Sequence, residues 1–84
     1  MTDRELLELA AKAAEIKDWV DGWSDKFWNP LTDDGDALRL AVKLDLFWEQ
    51  MELFDIYMDN KPHEPKNVRR AIVRAAAEIG KGME

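Results

Sequence analysis

The chain contains no cysteine among its 84 residues. It therefore has neither a disulfide framework nor a thiolate metal site, and its composition fits a reducing compartment. No apolar run approaches the roughly 18 residues that a membrane span needs, and the sequence opens with Asp3 and Glu5 where a signal peptide would be basic. We therefore expect a cytoplasmic protein that neither crosses a membrane nor attaches to one.

Residue types suited to catalysis are scarce. The chain has one histidine, His63, and one serine, Ser24. Nucleophilic catalysis needs a nucleophile, a base and an orienting acid within reach of one another, whereas His63 lies between a proline and a glutamate in a predicted connection. Pairs of carboxylates can be chosen freely from eighteen acidic residues, so a pair taken from the sequence carries little information. We expect a non-enzymatic protein without a cofactor.

Three aspartates, Asp33, Asp34 and Asp36, precede an apolar segment and are the first place to look for calcium or magnesium. Aligning this loop with an EF-hand would place Pro30 and Ala41 at ligand positions, and neither residue coordinates a cation through its side chain. The aspartates are instead well placed to cap a following helix and to complement its dipole. The sequence therefore predicts a capped helix and no metal.

The two ends of the chain differ in charge. The first 60 residues hold six basic and fifteen acidic side chains, a net charge of −9, while residues 61–84 have a net charge of +3. A C-terminal helix is predicted, and Gly80 and Gly82 are expected to end it. Its basic side chains are Lys66, Arg69, Arg70 and Arg74. A basic stripe of this kind can meet phosphates, but an isoelectric point near 4.7 would repel a polyanion. Pairing within the chain or solvation is the simplest interpretation, a protein partner is the next, and nucleic acid is the least favoured.

Three segments have the apolar spacing of amphipathic helices. The first, residues 3–15, follows Thr2 and Glu5, which form the pattern of a capping box. The second covers residues 34–44, and the third covers residues 66–80 after a proline-rich connection.

The segments between the helices are rich in aromatic and β-prone residues. We predict strands at 16–20, 45–49 and 53–58. The expected fold is therefore α+β, a small antiparallel sheet packed with three helices in a single domain over residues 1–84. The alternative is an all-α three-helix bundle in which residues 34–58 form one long helix. In either fold we expect most aromatic side chains in the core, with one or two tryptophans exposed at a protein interface.

Three blocks of sequence resemble a family of small uncharacterised phage and prophage proteins. They are TDRELLELAAKAA at 2–14, WNPLTDDGDALRLAVKL at 28–44 and RRAIVRAAAEIG at 69–80. The resemblance implies an α-β-α sandwich domain carried by tailed phages or their integrated remnants, and it implies no catalytic residues. The segments that flank the second block are short in this chain, so a curtailed sheet or an all-helical middle is also compatible with it.

Small size, acidity and few catalytic groups together favour a phage-derived accessory protein that binds and modulates a host protein. An acidic surface can occupy a host protein's nucleic-acid groove by placing carboxylates where phosphates would lie. The alternative is a nucleic-acid-binding regulator that uses the basic face of the last helix. The residues that we predict to bind a protein partner are Trp28, Asp33, Asp34, Asp36, Arg69, Arg70 and Arg74.

Overall fold

The computed structural model describes residues 2–15 and 29–83, and within these ranges the chain forms four helices and no strand. The helices are α1 (Asp3–Ala13), α2 (Asp34–Lys43), α3 (Met51–Met58) and α4 (Pro65–Lys81). The predicted α+β fold with its antiparallel sheet is therefore wrong, since the described part of the chain is all-helical. The strand predicted at 16–20 lies outside the described residues. The three predicted helices correspond to α1, α2 and α4, with ends that differ by no more than two residues.

The start of α1 follows the capping-box prediction. The hydroxyl of Thr2 accepts a hydrogen bond from the backbone N–H of Glu5 at 3.2 Å, and the Glu5 carboxylate accepts one from the backbone N–H of Thr2 at 3.4 Å. Both groups would otherwise lack a partner at the helix end. Glu15 has a φ of 58° just beyond the helix, which ends α1 slightly earlier than predicted.

A Schellman motif ends α2. Asp45 has a φ of 54°, its N–H bonds the carbonyl of Val42 at 3.2 Å, and the N–H of Leu46 bonds the carbonyl of Ala41 at 2.9 Å. The motif normally brings an apolar residue at the Leu46 position back onto the last turn of the helix. Leu46 is accordingly fully buried in the core.

Both strands predicted in the middle segment, 45–49 and 53–58, are wrong, and so is the single helix over 34–58. The left-handed residue at the end of α2 reverses the chain, which a strand or a continuous helix cannot do. The segment then continues through turns into α3. Within α3 the side chains that pack inward recur at helical spacing: Leu53, Phe54, Tyr57 and Met58.

The longest helix, α4, is the centre of the fold. It contacts α1, α2 and α3, whereas these three make no comparable contacts with one another. Its buried residues are mostly small: Ala71, Ile72, Val73, Ala75, Ala76, Ala77 and Gly80. Small side chains allow neighbouring helices to approach closely on several sides, so the core depends on backbone proximity and on alanine contacts as well as on leucines.

Gly80 does not end the last helix, as the sequence had suggested, because α4 continues to Lys81 and Gly82 is the C-cap. A Cβ at Gly80 would overlap the backbone carbonyl of Leu9 in α1. The side-chain pair of Arg70 and Asp3 joins the same two helices nearer their N-termini. The order of these two contacts shows that α1 and α4 run in the same direction, with Gly80 at their close approach.

Candidate functional site: an apolar groove and a basic cleft

The three predicted aspartates hold the start of α2 in place. Asp33 is the N-cap and accepts a hydrogen bond from the backbone N–H of Asp36 at 2.7 Å, as the capping prediction requires. The Asp36 carboxylate accepts a bond from the backbone N–H of Asn29 at 3.0 Å and pairs with Arg39 at 2.8 Å. Each of these carboxylates thus has a partner within the chain, which accounts for the cluster without a ligand.

Arg69 clamps the start of α2 onto α4. Its guanidinium donates to the carboxylate of Asp34 at 2.6 Å and to the backbone carbonyl of Leu31 at 2.9 Å. The Arg69 side chain is only 19% exposed, while that of Asp34 is 75% exposed. The largely buried Arg69 guanidinium therefore exposes little of its surface and positions the loop before α2 through these two charge-assisted hydrogen bonds. The role of Arg69 and Asp34 in binding a protein stays a prediction.

Arg70 and Arg74 lie elsewhere, in a cleft between α1, α3 and α4. Arg70 pairs with Asp3 at 3.0 Å, and the guanidinium of Arg74 lies 4.9 Å from the centroid of the Tyr57 ring. We call this cleft the basic cleft and define it by Leu6, Tyr57, Arg70, Arg74, Ala77, Glu78 and Lys81. Its volume is about 290 Å³.

The pKa of the Tyr57 phenol is raised above its ordinary value. Burial is the main cause that raises this pKa, and the negative charge of Glu78 raises it further because the phenol donates a hydrogen bond to that carboxylate at 3.3 Å. The positive charge of Arg74 acts in the opposite direction. Tyr57 is therefore a neutral hydrogen-bond donor inside the cleft at ordinary pH.

A second depression, the apolar groove, runs between α2, the turn after it and the first half of α4. Its apolar lining is Ala37, Leu38, Phe47, Pro65, Val68 and Ile72, with Asp34, His63 and Arg69 at the same site. Its volume is about 310 Å³. The α4 residues of this groove and those of the basic cleft are separated by about half a turn around the helix axis. The two sites therefore lie on opposite faces of α4. The predicted basic stripe is thus divided, with Arg69 on the groove side and Arg70 and Arg74 on the cleft side.

Large apolar side chains are exposed on α2 and in the turn that follows it. Leu38 and Val42 of α2 are each 56% exposed, and Trp48 is 71% exposed. The ring of Phe47, which lines the groove, packs edge-on against Trp48 and Phe54 with centroids 6.4 and 5.5 Å away. An exposed tryptophan next to an apolar depression is a typical protein-binding feature. The exposure of Trp48 agrees with the expectation that one or two tryptophans are exposed, and its role at a protein interface stays a prediction.

Sequence reasoning missed Leu38, Phe47, Tyr57 and Lys81 as site residues. One signal was present for Leu38, because the segment 37–44 has more apolar residues than one helix face can bury. Trp28, the remaining predicted site residue, lies outside the described residues.

Comparison with protein-family models, with curated proteins and with solved structures gives no match. The likeness to phage proteins therefore stays a prediction. None of the helices in residues 2–15 and 29–83 combines the length and the hydropathy needed to cross a bilayer.

Proposed function

We propose that this domain is a non-enzymatic, acidic protein-binding module of phage origin that modulates a host protein. The observation that carries the proposal is the apolar groove, with Leu38 at its mouth and Trp48 exposed beside Phe47. The groove is large enough for one bulky apolar side chain of a partner. Apolar anchors that enter such depressions contribute much of the binding energy at protein interfaces.

Charge around the groove favours a basic partner. Arg69, the arginine in its lining, is paired with Asp34, which also lines the groove. Asp33, Asp45 and Glu49, in the segments that flank α2, are exposed as well, in a chain whose net charge is −6. We infer that the groove takes an apolar side chain flanked by lysine or arginine on the partner. This surface chemistry is common in proteins that bind nucleic acid, so an acidic module can compete with their phosphate ligand.

The alternative, nucleic-acid binding by the last helix, receives less support. Arg69 is engaged with Asp34 and Leu31, and it lies on the face of α4 away from Arg70 and Arg74. No continuous basic surface is therefore formed by the three arginines. The overall negative charge would repel a polyanion further.

Two residues of α2 allow a matched test of the groove. Leu38 and Val42 lie one helical turn apart and are equally exposed, but only Leu38 lines the groove. Leu38→Asp and Val42→Asp therefore introduce the same charge on the same helix. Leucine has the higher helix propensity of the two replaced residues, whereas an added carboxylate at position 42, in the last turn, opposes the helix dipole. Wild-type, Leu38→Asp and Val42→Asp proteins are immobilised and exposed to host lysate at physiological salt, and the retained proteins are identified by mass spectrometry.

We expect a basic host protein that wild-type and Val42→Asp retain and that Leu38→Asp loses. Burying an unpaired carboxylate against the partner's apolar anchor should weaken affinity by about 100-fold, or roughly 3 kcal/mol. Circular dichroism of both variants controls for folding. If no host protein distinguishes Leu38→Asp from Val42→Asp, the groove is not the binding surface and the proposal fails.

A further inference from the structure

The basic cleft gathers positive charge in a chain that is otherwise acidic. Arg70, Arg74 and Lys81 line it along one face of α4, and Glu78 is the one acid in its lining. The net charge of the whole chain is −6. A local excess of cations in a concave site with low-dielectric walls concentrates the field and attracts small anions.

The cleft also has the mixed lining of a small-ligand site. Leu6 and Ala77 supply apolar surface, and Tyr57 supplies a hydroxyl. Its volume of about 290 Å³ is close to the lower end of the ~300–1,000 Å³ range of ligand pockets. The site therefore suits a small organic anion rather than an extended polymer.

Contacts within the chain position two of the cations, Arg70 and Arg74, and leave N–H donors of both available to a ligand. The guanidinium of Arg74 lies over the face of Tyr57, an arrangement that orients the group and leaves its N–H donors available. Arg70 pairs with Asp3, but both side chains are about half exposed or more, at 49% and 63%. An ion pair as exposed as this contributes little, so a ligand can replace the carboxylate of Asp3 at small cost. Lys81 makes no ion pair with the residues in 2–15 and 29–83.

From this arrangement we propose that the basic cleft binds the oxyanion group of a small organic ligand, with Arg70, Arg74 and Lys81 as the cationic donors. The Tyr57 hydroxyl donates a further hydrogen bond to the ligand when it turns from Glu78. The organic part of the ligand rests on Leu6 and Ala77. Phosphate esters and carboxylates both carry an oxyanion that accepts hydrogen bonds from these cations. The titration below distinguishes the two classes of ligand.

The test is an NMR titration of the isotopically labelled full chain at constant ionic strength. Phenyl phosphate, benzoate and inorganic phosphate are the three probes. We expect saturable shifts at Arg70, Arg74 and Tyr57 with a Kd of about 1 mM for the better organic anion. Phenyl phosphate should bind more tightly than inorganic phosphate because its ring covers the apolar lining. Saturation by phenyl phosphate identifies phosphate esters, and saturation by benzoate alone identifies carboxylates.

Two variants and one control make the result specific. Lys81→Ala should weaken binding about tenfold by removing a charge-assisted hydrogen bond, and Glu78→Gln should strengthen it by removing the competing charge. Lys43→Ala is the matched control, since Lys43 is in the last turn of α2 as Lys81 is in the last turn of α4. The proposal is overturned if no probe saturates by about 10 mM, or if Lys81→Ala binds as well as Lys43→Ala. This cleft lies on the other face of α4 from the apolar groove, so its failure would leave the proposed protein-binding function unaffected.

Discussion

Replacing Gly80 with alanine should separate α1 from α4. The added Cβ would overlap the carbonyl oxygen of Leu9 and lie 2.8 Å from its carbonyl carbon. The obstacle is backbone, so it cannot move aside as the end of a flexible side chain would. The helices must therefore move apart along an interface that buries Ala10 and Ala76 completely.

The expected magnitude follows from two opposing terms. Forcing extra volume into a packed interface costs about 1–3 kcal/mol, and sometimes more. Alanine in place of glycine in a helix interior returns up to about 1 kcal/mol. Because the obstacle at Gly80 is backbone, the cost should lie at the upper end of its range and the net loss should be about 2 kcal/mol. For a domain of this size that lowers Tm by about 10 °C.

Gly82→Ala is the control for this experiment. A Cβ at Gly82 would lie 3.5 Å from the nearest atom, the carbonyl oxygen of Ile79, and the residue already has helical backbone angles. This variant should be unchanged or up to about 1 kcal/mol more stable. Thermal and urea unfolding, followed by circular dichroism at 222 nm, measures both. Equal stability of Gly80→Ala and Gly82→Ala would refute the close approach of α1 and α4.

Two further predictions concern the end of α2 and the basic cleft. Asp45→Gly should raise the free energy of unfolding by about 0.5–1 kcal/mol, because glycine adopts the positive φ of the Schellman motif without steric cost. A lower free energy of unfolding, measured in urea, would contradict the motif. Tyr57 is the only tyrosine, so the pH-dependent increase in absorbance at 295 nm reports ionisation of its phenol above a constant tryptophan background. The midpoint should lie above the ordinary pKa of 10.0 and fall in Glu78→Gln. Because the folded pKa is raised, this group's contribution to stability is fully present below pH 10 and is lost as pH rises through the folded pKa. A midpoint that does not move in Glu78→Gln would exclude the contact between the phenol and the carboxylate.

Local signals in the sequence were sufficient for the helix starts. Thr2 and Glu5, and likewise Asp33 and Asp36, are three residues apart, and their hydrogen bonds form within one turn. Such contacts depend little on the rest of the fold. For the same reason Asp33, directly before α2, could be recognised as a capping residue.

The middle of the chain could not be predicted in this way. Asp45 adopts a left-handed conformation without the glycine that usually marks it, so the sequence carried no stop signal after α2. Aromatic and β-branched residues in 53–58 favoured a strand, but this preference mainly reflects how side chains pack on a half-buried surface. Here Phe54 packs edge-on against Phe47, and a helix provides that surface as well as a sheet would.

Long-range pairing explains why the candidate sites were only partly foreseen. Arg69 and Asp34 were both selected as protein-binding residues, but their contact with each other spans 35 positions. In the sequence Arg69 is adjacent to Arg70. The packing of α2 against one face of α4 places Arg69 at the apolar groove, while Arg70 lines the basic cleft on the opposite face. The cleft residue Tyr57 likewise depends on where α3 meets α4.

Contacts with the rest of the fold position both ends of the apolar groove, and these contacts support the proposal that it binds a macromolecular partner. At one end, Arg69 ties Asp34 and Leu31 to α4. At the other end, Leu46 is fully buried after the Schellman motif, which fixes the position of the next residue, Phe47. A groove whose walls are already in place loses little conformational entropy when a partner binds, so more of the burial energy is available as affinity. The exposed Leu38 side chain lines this groove, whereas Val42, one turn away on α2, lines neither the apolar groove nor the basic cleft.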